Sequence, residues 1–404
     1  MSNRYMYVGN WGFAPAPKGI SIFRYTDEDG SLELLKSVRQ DIAAGQMCLD
    51  EKRGILYASD ECGEREGEIG GGGYVYAFRI NRSTGDLELI NRQDSLSPEP
   101  SYVTQTKSGR YLVVCHCADP FHVTKIVRRE DGTFGNEVLF DDTALVLFPI
   151  GEDGGVGAPC DVVVTNGNNG LGNSPHSRRN VDPVSNHIQL VEVISRLHAI
   201  IASPDGGIFV TLDKGMDRIM TFRIDEERGK IVMLHEYQVD DIASFPRYGA
   251  FHPEKPVFYS DNENLAQVNV YRYTSDGELT LLQKIPVLSE DPGLIDGKPA
   301  GCQDIIVHPS GHVLYVSISG MNQVSVVALD EDGKGTLVQE ISSMGNFPRC
   351  VRLSPDNRFL LAGNMASGDI AVYEVAEDGT LTYTARTYEA VSPSAIRFMH
   401  EEAR

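Results

Sequence analysis

Two side chains able to share one reaction frame the stretch FPRYGAFHPEKPVFYSDNEN, residues 245–264: Arg247 follows a proline, and Glu263 closes the next apolar run sixteen residues later. A guanidinium grips a carboxylate or phosphate through parallel N–H donors, and a carboxylate takes a proton from water. Read alone, the Asn-Glu pair is equally a polar turn. Arg247 is equally an arginine that fastens neighbouring elements through their carbonyls. Two other stretches carry reactive residue types. Cys115, His116 and Cys117 follow a strand-like run, but two cysteines flanking one histidine make no zinc site without ligands from elsewhere. The glycine-rich run GEREGEIGGGG at 63–73 has no Gly-Lys-Ser/Thr and leads into no helix, so it reads as a loop.

Composition narrows the functions open to these residues. The chain has 404 residues, 41% of them hydrophobic, enough for a sizeable core in one large all-β domain. A formal charge of −21 repels nucleic-acid phosphates and anionic lipid, and no concentrated basic patch offsets it, so neither nucleic acid nor membrane is an expected partner. MSNRYMYVGN lacks the apolar stretch of a signal peptide, and no run reaches the roughly 18 apolar residues of a membrane span. A soluble cytoplasmic protein is expected, with its seven irregularly spaced cysteines as free thiols.

The elements that must position the chemistry are repeats. An acidic or polar turn ending in glycine precedes a β-type run at Gly30, Gly85, Gly132, Gly229, Gly277, Gly333 and Gly379, with successive gaps of 55, 47, 97, 48, 56 and 46. A second turn, as in SPDGGIFVTLD and HPSGHVLYVSI, introduces a buried-strand pattern before most of them. Four short strands per period of about 50 residues are the signature of a propeller blade. The spacing predicts an all-β, single seven-bladed β-propeller over 1–404. Its terminal PSAIRFMH completes a blade with N-terminal strands and so closes the ring. The long gap predicts a loop-like excursion over 144–196, between blades 3 and 4, rather than an eighth blade or a linker between two smaller propellers.

These residues carry a family resemblance. MYVGNWG with KGISIFRY, GYVYAFRI with TGDLELINR, LHAIIASPDGGIFVTLDKGMDRIMTFRI, and FPRYGAFHP with DNE resemble the seven-bladed propeller lactonases, which include a bacterial 6-phosphogluconolactonase and a fungal carboxymuconate lactonizing enzyme. The resemblance implies a catalytic set of His198, Arg247 and Glu263 from neighbouring blades. Glu263 or His198 would take a proton from water, and Arg247 would hold a substrate anion or the developing oxyanion. Three departures stand out. His198 follows Ser-Arg-Leu, Tyr248 stands where the family commonly has histidine, and Ile306 replaces a basic residue beside a retained Asp304. Arg349, in the repeat position of Arg247, is the expected substitute cation. Tyr248, Asp304, Arg349 and the rim residue Glu61 are further substrate-binding candidates. So are His176 and Arg178 of SPHSRRN, provided that segment folds over the mouth.

The expected activity is therefore metal-independent and cofactor-free hydrolysis of a small anionic lactone of a sugar acid. The alternatives are a cycloisomerase or lyase acting on a muconate-type lactone, and a propeller kept as a protein-interaction platform. Nothing in the sequence fixes an oligomeric state.

Overall fold

A computed structural model of the chain describes residues 3–12, 18–65, 68–69, 71–118, 122–165, 195–241, 243–295 and 297–399. Every regular element among them is a β-strand, and no helix among them is long and apolar enough to cross a membrane. Seven four-stranded antiparallel sheets follow one another along the chain. Their innermost strands, Ala44–Asp50, Pro100–Gln105, Leu197–Ala202, Pro246–Phe251, Gly301–Val307, Pro348–Leu353 and Pro393–Met399, pack side by side in one closed ring. The last of these belongs to blade 1, where Tyr5 pairs with Met399 and Tyr7 with Arg397. Closure through both chain ends leaves no open sheet edge at the seam, as expected.

Position within a blade explains the sequence patterns. Second strands such as Val257–Asn262 and Phe359–Asn364 are buried throughout, because adjacent blades cover both faces, and so they read as continuous apolar runs. The outermost strand Leu381–Glu389 alternates burial with exposure. The recurrent glycine turn joins the third strand to the outermost one, and its carbonyl has a definite use. Buried tyrosines on second strands reach into the next blade and donate to that carbonyl. Tyr7 donates to Gly85 at 3.1 Å, Tyr259 to Gly333 at 2.8 Å and Tyr315 to Gly379 at 2.8 Å. Tyr259→Phe leaves the Gly333 carbonyl without its donor, and should cost about 1–3 kcal/mol of stability, read as a lower urea midpoint.

Blade 3 differs from the expectation, and the same hydrogen bond shows why. Tyr57 donates to Gly154, not Gly132, at 3.0 Å. Gly154 has φ 87° and sits against Ile55, whereas nothing lies within 4 Å of a Cβ built at Gly132. Gly132 instead turns a hairpin, His122–Arg128 with Phe134–Phe140, inserted between the second and third strands. The excursion expected over 144–196 is thus partly blade. Ala144–Pro149 and Asp161–Val164 are the third and fourth strands of blade 3. An Asp-Gly turn between β-type runs looks the same in sequence inside a blade and outside it. None of the seven cysteines forms a disulfide.

The chain direction gives the two faces different characters. Each inner strand starts, and each second strand ends, at one mouth of the channel. The tight repeated turns therefore lie at the opposite mouth. The inserted hairpins, Glu64–Arg65 with Glu68–Ile69, His122–Arg128 with Phe134–Phe140, and Leu294–Ile295 with Lys298–Pro299, all arise at the first mouth.

Candidate active site

Two repeat slots converge on the mouth that carries the insertions. One is the start of the inner strand, which supplies His198 in blade 4 and Arg247 in blade 5. The other follows the second strand and supplies Glu61 in blade 2, Lys214 in blade 4 and Glu263 in blade 5. Arg196 and Glu99, just ahead of the inner strands of blades 4 and 3, complete the cluster through a contact of 3.8 Å.

Glu263 lies between two cations. Lys214 pairs with its Oε2, and Arg247 Nε stands 3.4 Å from the same oxygen. Burial alone would raise the pKa of Glu263, but Lys214 and Arg247 outweigh it and hold the pKa below its ordinary value. Arg247 is only 3% exposed, and its Nη1 donates to the Gln303 carbonyl of blade 6 at 2.6 Å. It therefore both fastens two blades and presents charge to the site.

His198 is 4% exposed, edge-on to Tyr248 at 5.0 Å, and its Nδ1 forms no hydrogen bond. Burial, reinforced by Arg247, Lys214 and Arg196, lowers its pKa well below the usual value, so the imidazole is neutral at pH 7. Tyr248 also lies under the Arg247 guanidinium, 5.0 Å from its ring centre, and meets Tyr102 of blade 3 at 5.8 Å. These two rings form the floor of the cluster.

Glu61 behaves oppositely to Glu263. Burial, then the charge of Glu99, raises its pKa well above the ordinary value despite Arg247, Arg196 and Lys214. Its carboxyl fills the space over Gly45, where an added Cβ would meet Oε2 at 1.8 Å. The site so holds a carboxylate of lowered pKa, a neutral imidazole and a carboxyl of raised pKa within one cationic surround. Because the folded pKa of Glu61 is raised, the unfolded chain releases this proton at lower pH than the folded one does. Stability from this group is present in acid and lost as pH rises. Glu61→Gln removes that loss, so its melting temperature should exceed wild type at pH 7–8, and the gain should vanish near pH 4.

The loop that delivers Arg247 is held by Asp217. Asp217 Oδ1 accepts the Phe245 N–H at 2.9 Å and the Ser244 hydroxyl at 3.1 Å, and Oδ2 accepts the Ala243 N–H at 2.7 Å. Phe245, with φ 55°, occupies the left-handed region that side chains usually avoid, directly before Pro246 and Arg247.

The other candidates lie elsewhere. Arg349 reaches the same mouth from blade 7, 7% exposed, and forms no ion pair among the described residues. Asp304 lies deeper, where its carboxylate accepts the N–H groups of Ile305 and Val351, each at 2.9 Å, and so joins blades 6 and 7. His176 and Arg178 fall outside the described residues. In the Cys-His-Cys stretch, His116 Nδ1 meets the Ala144 carbonyl at 2.9 Å and Cys115 packs in the core between blades 3 and 4. Sequence reasoning missed Lys214, Arg196 and Glu99. Lys214 was detectable, because Leu-Asp-Lys ends the second strand of blade 4 as Asp-Asn-Glu ends that of blade 5.

The ring itself sets the class: a single seven-bladed β-propeller whose ionisable groups gather at one mouth. The chain belongs to the family described as lactonase, 7-bladed beta-propeller, whose model matches residues 6–398. It is similar to the 6-phosphogluconolactonase of Bacillus subtilis, 23% identical over 334 residues covering 82% of each chain. It is also similar to the 6-phosphogluconolactonase of Formosa agariphila, 24% identical over 373 residues covering 91% of each. Among solved structures it superposes on the periplasmic gluconolactonase of Pseudomonas aeruginosa with a TM-score of 0.79, at 22% identity over 98% of this chain and 99% of that one. At that identity the superposition shows the fold alone.

Proposed function

We propose that this lactone hydrolase opens the anionic lactone of a sugar acid, with 6-phosphogluconolactone as the first substrate to test. The observation that carries the reading is an imidazole kept neutral at pH 7, its Nδ1 without a hydrogen-bond partner, set among Arg196, Lys214 and Arg247 in a protein of formal charge −21. Three cations stand among Glu99, Glu263 and Glu61, and Glu61 keeps its proton to higher pH than an ordinary carboxyl, so this mouth suits an anion.

In the proposed reaction His198 takes a proton from water as the oxygen attacks the lactone carbonyl. Arg247 and Lys214 stabilise the resulting oxyanion. Collapse breaks the ring C–O bond, and the leaving oxygen receives its proton from the imidazolium or from the Glu61 carboxyl. Water and lactone are thereby converted to the hydroxy acid. Glu263, ionised and doubly paired, keeps the two cations in place rather than acting as the base.

Proton release should be followed with 6-phosphogluconolactone, gluconolactone and an uncharged γ-lactone, each with and without chelator. The expected order has the phosphorylated lactone turned over best, with rates unchanged by chelation because side-chain cations supply the positive charge. A preference for the uncharged lactone would overturn the anionic assignment. Activity lost on chelation and restored by one ion would overturn metal independence. No turnover with any lactone would leave the ring as a binding platform.

A further inference from the structure

The end of the channel away from His198 is not closed off. A cavity of about 550 Å³ opens there, lined by the inner strands of blades 1, 2, 3, 6 and 7. That volume lies in the range of small-ligand pockets. Two guanidiniums enter it from adjacent blades, Arg352 from blade 7 and Arg397 from blade 1. They occupy one repeat position, each four residues after the proline that opens its strand, so the ring sets them side by side.

Their charge is only partly answered by the protein: one carboxylate, Asp304, lies close enough to favour the charged form of Arg352, and against the burial that raises its pKa both arginines favour its own ionised form. Arg397 donates Nη2 to Gln46 Oε1 at 2.7 Å and Nη1 to its own strand at the Ile396 carbonyl, 2.8 Å. Arg352 has a buried Nε with no hydrogen-bond partner. Among the described residues neither arginine forms an ion pair. Asp304 is the nearby acid; its oxygens accept the Ile305 and Val351 N–H groups and form no ion pair with either arginine, so a single carboxylate stands against two guanidiniums. Glu51 stands on the cavity wall at the exposed lip. Burial and the neighbouring Arg397 lower the pKa of Arg352, yet a guanidinium does not give up its proton in a protein. Two cations from adjacent blades therefore line one cavity with a single carboxylate beside them, an arrangement that a bound anion would relieve.

We propose that this cavity is a second ligand site, which binds a small phosphate- or carboxylate-bearing anion between Arg352 and Arg397, with the Tyr102 phenol from blade 3 lining the same space. Tyr102 also abuts Tyr248, the floor under His198, so the aromatic pair separates the two sites while touching both. Binding here is independent of the lactone chemistry at the other mouth.

The test is thermal unfolding of the full chain titrated with inorganic phosphate, and in parallel with citrate, against sodium chloride at matched ionic strength. A ligand that binds only the folded protein raises the melting temperature with concentration. Wild type should show a saturable rise with at least one of the two anions, and the arm that responds identifies phosphate or carboxylate as the preferred group. Arg352→Met and Arg397→Met should each require at least tenfold more anion for the same rise. Without anion, Arg352→Met should melt higher than wild type, because one of two opposed charges is gone. No rise with either anion, or an unchanged response in both arginine variants, would overturn the proposal.

Discussion

His198→Gln should lower kcat on the preferred lactone by about 10²–10⁴-fold, the effect of losing a general base, while the ring remains folded. The side chain is buried, but its Nδ1 has no protein partner. The substitution therefore breaks no hydrogen bond at that atom, and glutamine is of similar size. A second readout separates this role from a structural one. The folded pKa of His198 is depressed by burial and by Arg247, Lys214 and Arg196. As pH falls below about 6.5, the ordinary value for histidine, the unfolded chain takes up a proton that the folded site refuses, and stability declines. In His198→Gln that part of the acid sensitivity should disappear. Wild-type turnover should persist below pH 6.5, because the imidazole stays in its basic form there. Full activity in the variant would remove His198 as the base and leave Glu61 and Glu263 as the remaining candidates.

Arg247→Met should reduce kcat/KM for the anionic lactone by about 10²–10³-fold, the scale of losing one oxyanion donor. It should also lower stability by about 1–3 kcal/mol, because the Gln303 carbonyl loses its 2.6 Å donor. Both effects are expected together, since the same guanidinium joins blades 5 and 6 and stands 3.4 Å from Glu263. The kinetic split identifies the first role. A rise in KM alone means that Arg247 grips a ground-state anion, and a fall in kcat means that it meets the oxyanion. Arg247→Lys keeps the charge without the two-sided fork, so it should recover part of the activity and little of the stability. A variant that melts lower yet turns over normally would reduce Arg247 to a blade fastener.

Particular residues show how far sequence carried the site. Arg247 and Glu263 frame an apolar run and, with His198, stand out through the family resemblance, Glu61 through its rim position, and the structure brings all four to one mouth. Arg349 holds the repeat position of Arg247 and reaches the same mouth, but from blade 7, two blades on, and makes no ion pair with the cluster among the described residues; Asp304 lies further along its inner strand and joins blades 6 and 7 instead. Ile306 is instructive. It lines the far cavity, and the same repeat position in the next two blades holds Arg352 and Arg397. The cation absent from blade 6 thus has counterparts one and two blades away, at the mouth opposite Arg349.

The sequence by itself determined the ring: seven blades, four strands each, and closure by the terminal strand. Those features rest on local rules, since the period of apolar runs and the glycine turns fix each blade, and in four blades the turn carbonyl takes a tyrosine of the preceding blade. Only the tertiary structure decided which Asp-Gly turn belongs to blade 3. It also decided which charges meet. Lys214 and Glu263 are far apart in sequence, in different blades and in no common motif, and their pairing follows from the ring's curvature. The protonation states of Glu61, Glu263 and His198 are likewise set by burial and by charges arriving from other blades, quantities that exist only once the ring has closed.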